Sequence, residues 1–519
     1  METVSVDIAR PAAEKSWRAA GLSLAVAAAA AALVTICFCP RFVFWQVLAI
    51  NDQLPVAPSE IDRAAQTLVQ FNDPWTPIFH PNHKVIAWRL LFPVLFHYLY
   101  LPQWLFLATP QIGCLLALWL VAWLTYSRLG KWWPTCVATA LFGALPWFFV
   151  SSGWLLHFDS WLVIGLLATA FVPSRWSLGL ACLLTPWIDA RFVLALPVAV
   201  VVRAIALART GKSSRQELFE DLAVVLAASL PYPTIRAVAW LQGDADSGAY
   251  VQLHMQTIPT VPWRSFAEGL WSGYRVGWLL IVAAIVVAPR RAGAWWGAAL
   301  ALLATGSAVG GLFIAYDMSR TLMIVCPVLL LGIWLWEETR SQRLDRMLPI
   351  LLLANLFFLP AYHVLWQNQW QVAPLMTEIR NWNDPPDVIK AAALLQSGRR
   401  KVEQGKVEEA QQDFAAALLL HGKYPQVLVE RAHLRAREGD VAGALSDLDE
   451  AVRLRPTSAY ALLLRGAIRG SRGEFGPAAE DLRRSLELTS PAWVFRGQAE
   501  QMLEAVTNNV KTALPLRAP

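Results

Sequence analysis

Apolar runs of about 20 residues, long enough to cross a bilayer as helices, recur along the first 370 residues between short polar connectors. The first extends from Trp17 to Phe38, behind Arg10 and Lys15 and with Arg18 at its start. It is longer than the roughly 7–15 residues of a signal h-region, and no A-x-A site precedes Cys39-Pro40. It therefore reads as an uncleaved anchor with a cytoplasmic N-terminus. Further runs at 104–126, 134–150, 158–172, 176–188, 192–208, 218–242, 276–289, 294–315, 319–336 and 347–366 predict an all-α polytopic bundle of about 11 spans. The run Ile86–Leu101 covers roughly 24 Å, short of a ~30 Å core, and holds Arg89, Pro93 and His97, so a half-inserted segment is expected there. With that choice SRLGKWW, PSRW, ARTGKSSR, PRRAG and EETRSQRLDR all share the side of the basic N-terminus, as the positive-inside rule requires. The C-terminal part then lies outside the cytoplasm.

Beyond residue 390 the pattern changes to a repeat of 34 residues. Gly405, Gly439 and Gly473 keep this spacing, as do Ala410, Ala444 and Ala478, then Phe414, Leu448 and Leu482, then Ala417, Ala451 and Ser485. A period of about 34 is the signature of tetratricopeptide (TPR) repeats, in which small residues let two helices cross and a Gly turns the chain between them. The units are 391–424, 425–458 and 459–492, followed by a capping helix to about 510 and a tail 511–519. They come after a membrane domain 1–370 and a linker 371–390. A TPR α-solenoid offers a protein or peptide partner its concave face. Arg431, Arg435, Arg465 and Arg469 on successive first helices would make that face cationic; Asp447, Asp449, Glu480 and Asp481 could equally neutralise them.

Composition sharpens this division. The chain of 519 residues is 56% hydrophobic and only 16% charged, which excludes an ordinary soluble enzyme. Residues 391–519 hold 34 of the 82 charges, and only Trp493 of the 26 tryptophans. The other tryptophans suit bilayer interfaces, where ring and N–H are both satisfied. The net charge of +6 is spread over short loops, so it signals topology and not nucleic acid. The six cysteines lie in or beside apolar runs and suggest neither a disulfide framework nor a metal knuckle.

Charge inside a membrane domain is costly and tends to be paired or functional. In the preferred topology Asp52, His157 and Asp159 (WLLHFDSW), Asp189 and Arg191 (PWIDARF), and Asp317 and Arg320 (AYDMSR) fall at outer ends of spans. Local ion pairs, Asp189 with Arg191 and Asp317 with Arg320, explain any one of them as well as a site does. The outer loop 39–85 contains Ser59-Glu-Ile-Asp62, resembling a capping box, with Ile61, Ala65, Leu68 and Phe71 at helical spacing, which predicts an amphipathic surface helix. His80 and His83 in HPNH are two metal-type ligands without a carboxylate pattern; they support a divalent metal only weakly, and a polar loop or substrate contact accounts for them.

An N-in first span, a long first outer loop with an early acid and a juxtamembrane helix, about 11 spans and charged outer loops together resemble the GT-C superfamily of integral-membrane glycosyltransferases. With a TPR tail outside, the layout is similar to the transmembrane-and-TPR O-mannosyltransferases. The resemblance implies a polyprenyl-phosphate sugar as donor and an acid of the first outer loop as catalytic base. By position that acid is Asp52, with Asp73 second; Arg89, Arg191 or Arg320 would hold the phosphate, with His157, Asp159, Asp189 and Asp317 lining the substrate site. The acid here stands in Asn51-Asp52, without the paired acidic dipeptide of the protein O-mannosyltransferases. A membrane-anchored scaffold without catalysis is the alternative. A transporter would require symmetry between halves and charges near the midplane.

Overall fold

The computed structural model describes residues 13–39, 67–75, 87–153, 156–207, 213–241, 258, 261–314, 317–364, 369–383, 387–456, 458–488 and 495–511. They form helices almost throughout, in two compact units: the described residues up to 379, and those from 380 onward.

The first unit contains α1 (Ala13–Cys37), α2 (Leu91–Tyr98), α3 (Gln103–Leu129), α4 (Trp132–Gly143), α5 (Pro146–Gly153), α6 (Asp159–Phe171), α7 (Arg175–Leu184) and α8 (Arg191–Ala206). It continues with α9 (Ser213–Ser229), α10 (Pro231–Leu241), α11 (Trp263–Tyr274), α12 (Trp278–Ala292), α13 (Ala294–Ile314) and α14 (Cys326–Leu353). A short hairpin, β1 (Tyr362–Val364) with β2 (Gln369–Gln371), is antiparallel with His363 opposite Trp370.

Six helical stretches among the described residues are long and apolar enough to cross a membrane, or seven if the bent pair α4 and α5 forms one span. This corrects the expected eleven. Hydropathy measures composition and does not see breaks. The run 158–172 yields only 13 helical residues in α6, and 176–188 only 10 in α7 before a 3-10 turn. The eight residues of α2 are about 12 Å long, too short to cross. Of the expected surface helix, residues 67–72 are helical, and Phe71 packs on Phe106 at 5.2 Å; Ser59, Ile61 and Ala65 lie outside the described residues.

Broken helices leave backbone groups that only protein can satisfy in an apolar medium. Pro146 has no N–H for the Phe142 carbonyl, and the Trp147 indole N–H supplies one at 2.9 Å. Arg275 stands between α11 and α12 at φ 50°, buried. It donates to the Ala144 carbonyl at the end of α4, and to the Asn355 and Leu359 carbonyls beyond α14 at 2.7 and 3.3 Å. Each helix C-terminus carries about half a negative charge, so two of them balance one guanidinium without a carboxylate.

The unit has two chemically distinct ends. At one, Arg203 donates to the Thr169, Val172 and Pro173 carbonyls at the end of α6 and pairs with Asp221, which also binds Arg175. Arg291 reaches the Ile205 carbonyl and Glu338; Arg128 also binds Glu338, and Lys131 binds Glu337. Basic residues of SRLGKWW, PSRW and PRRAG thus share one end with the acids of EETRSQRLDR. The helix starts of α6 and α8 lie at the other. Exposed tryptophans mark helix ends: Trp104, Trp133, Trp176, Trp240, Trp263 and Trp295, positions that suit an interfacial belt.

Within 371–390, α15 (Leu375–Asn383) crosses the division at residue 379. The second unit beyond it is a repeat array: α16 (Asp387–Glu403), α17 (Val407–Leu420), α18 (Pro425–Glu438), α19 (Val441–Leu454), α20 (Ala459–Ser471), α21 (Phe475–Glu487) and α22 (Arg496–Thr507). Gly405, Gly439 and Gly473 turn the chain inside each pair at φ 77°, 90° and 83°. Ala410, Phe414, Ala417, Ala444, Leu448, Ala451, Ala478 and Leu482 are all buried, and a Cβ on Gly466 would stand 2.9 Å from Leu482.

Candidate functional site

Two local patterns begin the site. In Asp189-Ala-Arg191 and Asp317-Met-Ser-Arg320 the carboxylate accepts the N–H of the Arg that follows, at 3.0 and 3.3 Å, and so starts a helical turn. The same carboxylates hold the guanidiniums: Asp189 Oδ1 and Oδ2 accept from Arg191 at 2.9 and 2.7 Å, and Asp317 lies 2.9 Å from Arg320 Nε.

Asp159, the first residue of α6, joins the two pairs. Its Oδ1 accepts from Arg191 and its Oδ2 from Arg320 at 3.1 Å. Arg89, just before α2, adds a 3.1 Å contact to Asp189, and His363 on β1 places Nε2 3.2 Å from Asp317. The result is an alternating line: Arg89, Asp189, Arg191, Asp159, Arg320, Asp317, His363. No side chain in it is more than 12% exposed. Three Arg offset three Asp, so the line is neutral when His363 is neutral. Thr321 receives Arg191 Nη1 at 3.4 Å, and Ser319 Oγ accepts the Val364 N–H at 3.1 Å, which ties the hairpin to the same turn.

Arg89, Asp159, Asp189, Arg191, Asp317 and Arg320, expected from sequence as one group, are therefore in contact. His157 is buried two residues before Asp159. Asp73 is exposed, and its Oδ1 accepts the Trp75 N–H at 3.0 Å. Asp52, His80 and His83 lie outside the described residues. Among those that are described, no group of three or more His, Cys, Asp or Glu is placed to hold a metal.

Sequence reasoning missed His363, because the run 347–366 hid it inside a span; the polar triplet Gln367-Asn368-Gln369 was the available signal that the helix had ended. It also missed the surroundings of Arg89. The Arg236 guanidinium lies over the Trp88 ring at 4.5 Å, and Tyr232, one turn earlier on α10, packs edge-on against Trp187 at 5.0 Å. The Tyr232 hydroxyl is in the field of Arg236, Asp189 and Arg89.

In the repeat array the four arginines proposed for a partner already hold acids. Arg431 forks onto Asp447 at 2.8 and 2.6 Å and Arg435 adds a 3.0 Å bond. One period later Arg465 forks onto Asp481 at 2.9 and 2.6 Å with Arg469 at 2.8 Å, while Asp449 accepts from both. Lys401 with Asp413 at 2.9 Å is the same contact one period earlier. Burial alone would lower the Arg465 pKa, but Asp481 and Asp449 outweigh it and hold the group above its ordinary value.

No protein-family model and no curated protein matches the chain. Among solved structures, the first TPR domain of Spaghetti (RPAP3) bound to an HSP90 peptide is similar at 28% identity and a TM-score of 0.22, covering 23% of this chain and 93% of that one.

Proposed function

We propose that the chain is a membrane glycosyltransferase that moves a sugar from a polyprenyl-phosphate donor to an acceptor, with the repeat array recruiting a protein partner or the acceptor itself. The observation that carries the reading is the buried alternating line. Tying helices together needs one ion pair, whereas seven buried ionisable groups from five segments incur a desolvation cost that packing of apolar residues would avoid. Within membrane domains such groups mark function by default. The donor class comes from the resemblance described above. In the reaction a carboxylate, Asp52 or Asp73, takes the proton of the acceptor hydroxyl. Its oxygen then bonds to the anomeric carbon as the bond from that carbon to phosphate oxygen breaks, and an arginine stabilises the departing polyprenyl phosphate. The clustering of the basic loops at the end away from the starts of α6 and α8 supports a cytoplasmic N-terminus in the plasma (inner) membrane, with the alternating line and the array on the opposite face.

A second reading, a non-catalytic scaffold, is favoured by the charge balance of the line and by the pairing of the array arginines. Transfer from a panel of polyprenyl-phosphate sugars by the purified protein decides between them. Turnover that falls at least about a hundredfold in Asp52→Asn supports the transferase, as loss of a general base requires. No turnover on any donor supports the scaffold. Reporter fusions in the Arg209–Arg215 loop and after Pro519 should report opposite sides of the membrane.

A further inference from the structure

We infer that Arg89, Arg236 and the Tyr232 hydroxyl form the seat of the donor's phosphate ester, walled by the Trp88 and Trp187 rings. This rests on the transferase reading and selects among its three arginines.

Arg191 is committed to Asp189, Asp159 and Thr321, and Arg320 to Asp159 and Asp317. A phosphate reaching either would have to displace a buried carboxylate and leave it unpaired, which is strongly unfavourable. Arg89 ends the line with a single carboxylate contact, where Arg191 and Arg320 each meet two; its buried Nε–H, like that of Arg320, has no hydrogen-bond partner among the described residues, but only at Arg89 is the second acid also missing. A buried donor left unpaired is costly, and an anion would satisfy it.

The neighbours of Arg89 suit that anion. Arg236 covers Trp88, the residue preceding Arg89, so two guanidiniums flank one short segment. Tyr232 and Arg236 are four residues apart on α10 and so share a face. Tyr232 leans on Trp187, two residues before Asp189, which brings its ring against the segment that carries the same acid. Lipid linkage is favoured by the helix that carries these groups. Gln216–Leu241 is the least covered of the six candidate spans, and Ile235, Val238 and Leu241 are exposed along it. A prenyl chain can lie on that surface while its phosphate turns inward.

The test uses the full-length protein in nanodiscs and a polyprenyl monophosphate with a diazirine beside the phosphate, its affinity read by native mass spectrometry and its crosslinks by peptide mapping. Crosslinks are expected at Trp88–Arg89 or on Pro231–Leu241. Arg89→Gln and Arg236→Gln should each weaken binding about tenfold, as loss of a charge-assisted bond does. Tyr232→Phe should have a smaller effect, and Arg264→Gln, in an exposed pair with Glu268, none. Arg236→Lys keeps the charge without the planar fork and should weaken binding measurably in a protein that still folds. Affinity unchanged in all these variants overturns the seat. So does equal competition by phosphatidylglycerol, which marks a generic anionic-lipid surface, or displacement by millimolar inorganic phosphate, which marks a free-phosphate site. Sugar transfer with an unaltered donor KM in both Gln variants removes the seat and leaves the transferase. Saturable binding lost in those variants, with no turnover on any sugar donor, keeps the seat and removes the transferase.

Discussion

Replacing Asp159 by Asn should destabilise the first unit by about 2–4 kcal/mol, because one carboxylate holds two buried guanidiniums. At ~3 Å and an effective dielectric of about 20, each contact is a gross attraction of roughly 5 kcal/mol. Most of this is offset. Removing the carboxylate recovers its desolvation penalty, of several kcal/mol. Arg191 keeps both bonds to Asp189 and Arg320 keeps Asp317. The net therefore falls at or below the ~3–5 kcal/mol seen when one partner of a buried pair is removed, but well above the median of 0–1 kcal/mol for exposed pairs. The Asn side chain matches the carboxylate in shape, so no cavity contributes. Reversible unfolding of the full chain in mixed micelles of rising dodecyl sulfate content measures the change. The sharper measurement is the cycle with Arg320→Gln, in which the double variant restores neutrality. A coupling of about 1.5 kcal/mol or more is expected, within the range for residues sharing one network. An Asp159→Asn variant within 0.5 kcal/mol of the parent, or single effects that simply add, would refute the idea that the line acts as a unit.

Gly439→Ala should cost about 1 kcal/mol, because φ is 90° and a Cβ there meets nothing within 4 Å, so only the backbone term remains. Gly466→Ala should cost more, roughly 1–3 kcal/mol, since its Cβ would crowd Leu482 and the Ala478 carbonyl; thermal unfolding of the array signal that ranks them in the opposite order would contradict this. Burial pushes the Tyr424 phenol above its ordinary pKa, with Arg399 opposing only in part. A group raised on folding contributes stability that is complete below its unfolded pKa of about 10 and is lost as pH rises from there toward the folded value. The array should therefore weaken above about pH 10, and Tyr424→Phe should flatten that alkaline slope in pH-dependent melting.

What the sequence made legible follows from how local each feature is. The array could be read because each turn needs a left-handed residue and each helix crossing a small one. Gly439 and Ala444 are constrained by neighbours a few residues away, and the period repeats the evidence. The pairs Asp189–Arg191 and Asp317–Arg320 were legible for the same reason, since a carboxylate two or three residues before an arginine can cap a turn and hold the side chain together. The bridge through Asp159 was not. Nothing within WLLHFDSW indicates that its acid meets Arg191, 32 residues on, and Arg320, 161 residues on. Span counting failed where a helix break is stabilised from a distance. Hydropathy across Leu145 and Pro146 is continuous, and the fold tolerates the break because Trp147 and Arg275 supply the missing donors. Arg275 itself carried a signal, an arginine at the edge of the apolar run 276–289 with no acid within one helical turn. A charge in that position requires compensation, and here helix ends supply it. The same reasoning sets Arg89 apart. The other two arginines of the line each meet two acids, whereas Arg89 stands at the end with one, so a further anion is best accommodated where the alternation stops.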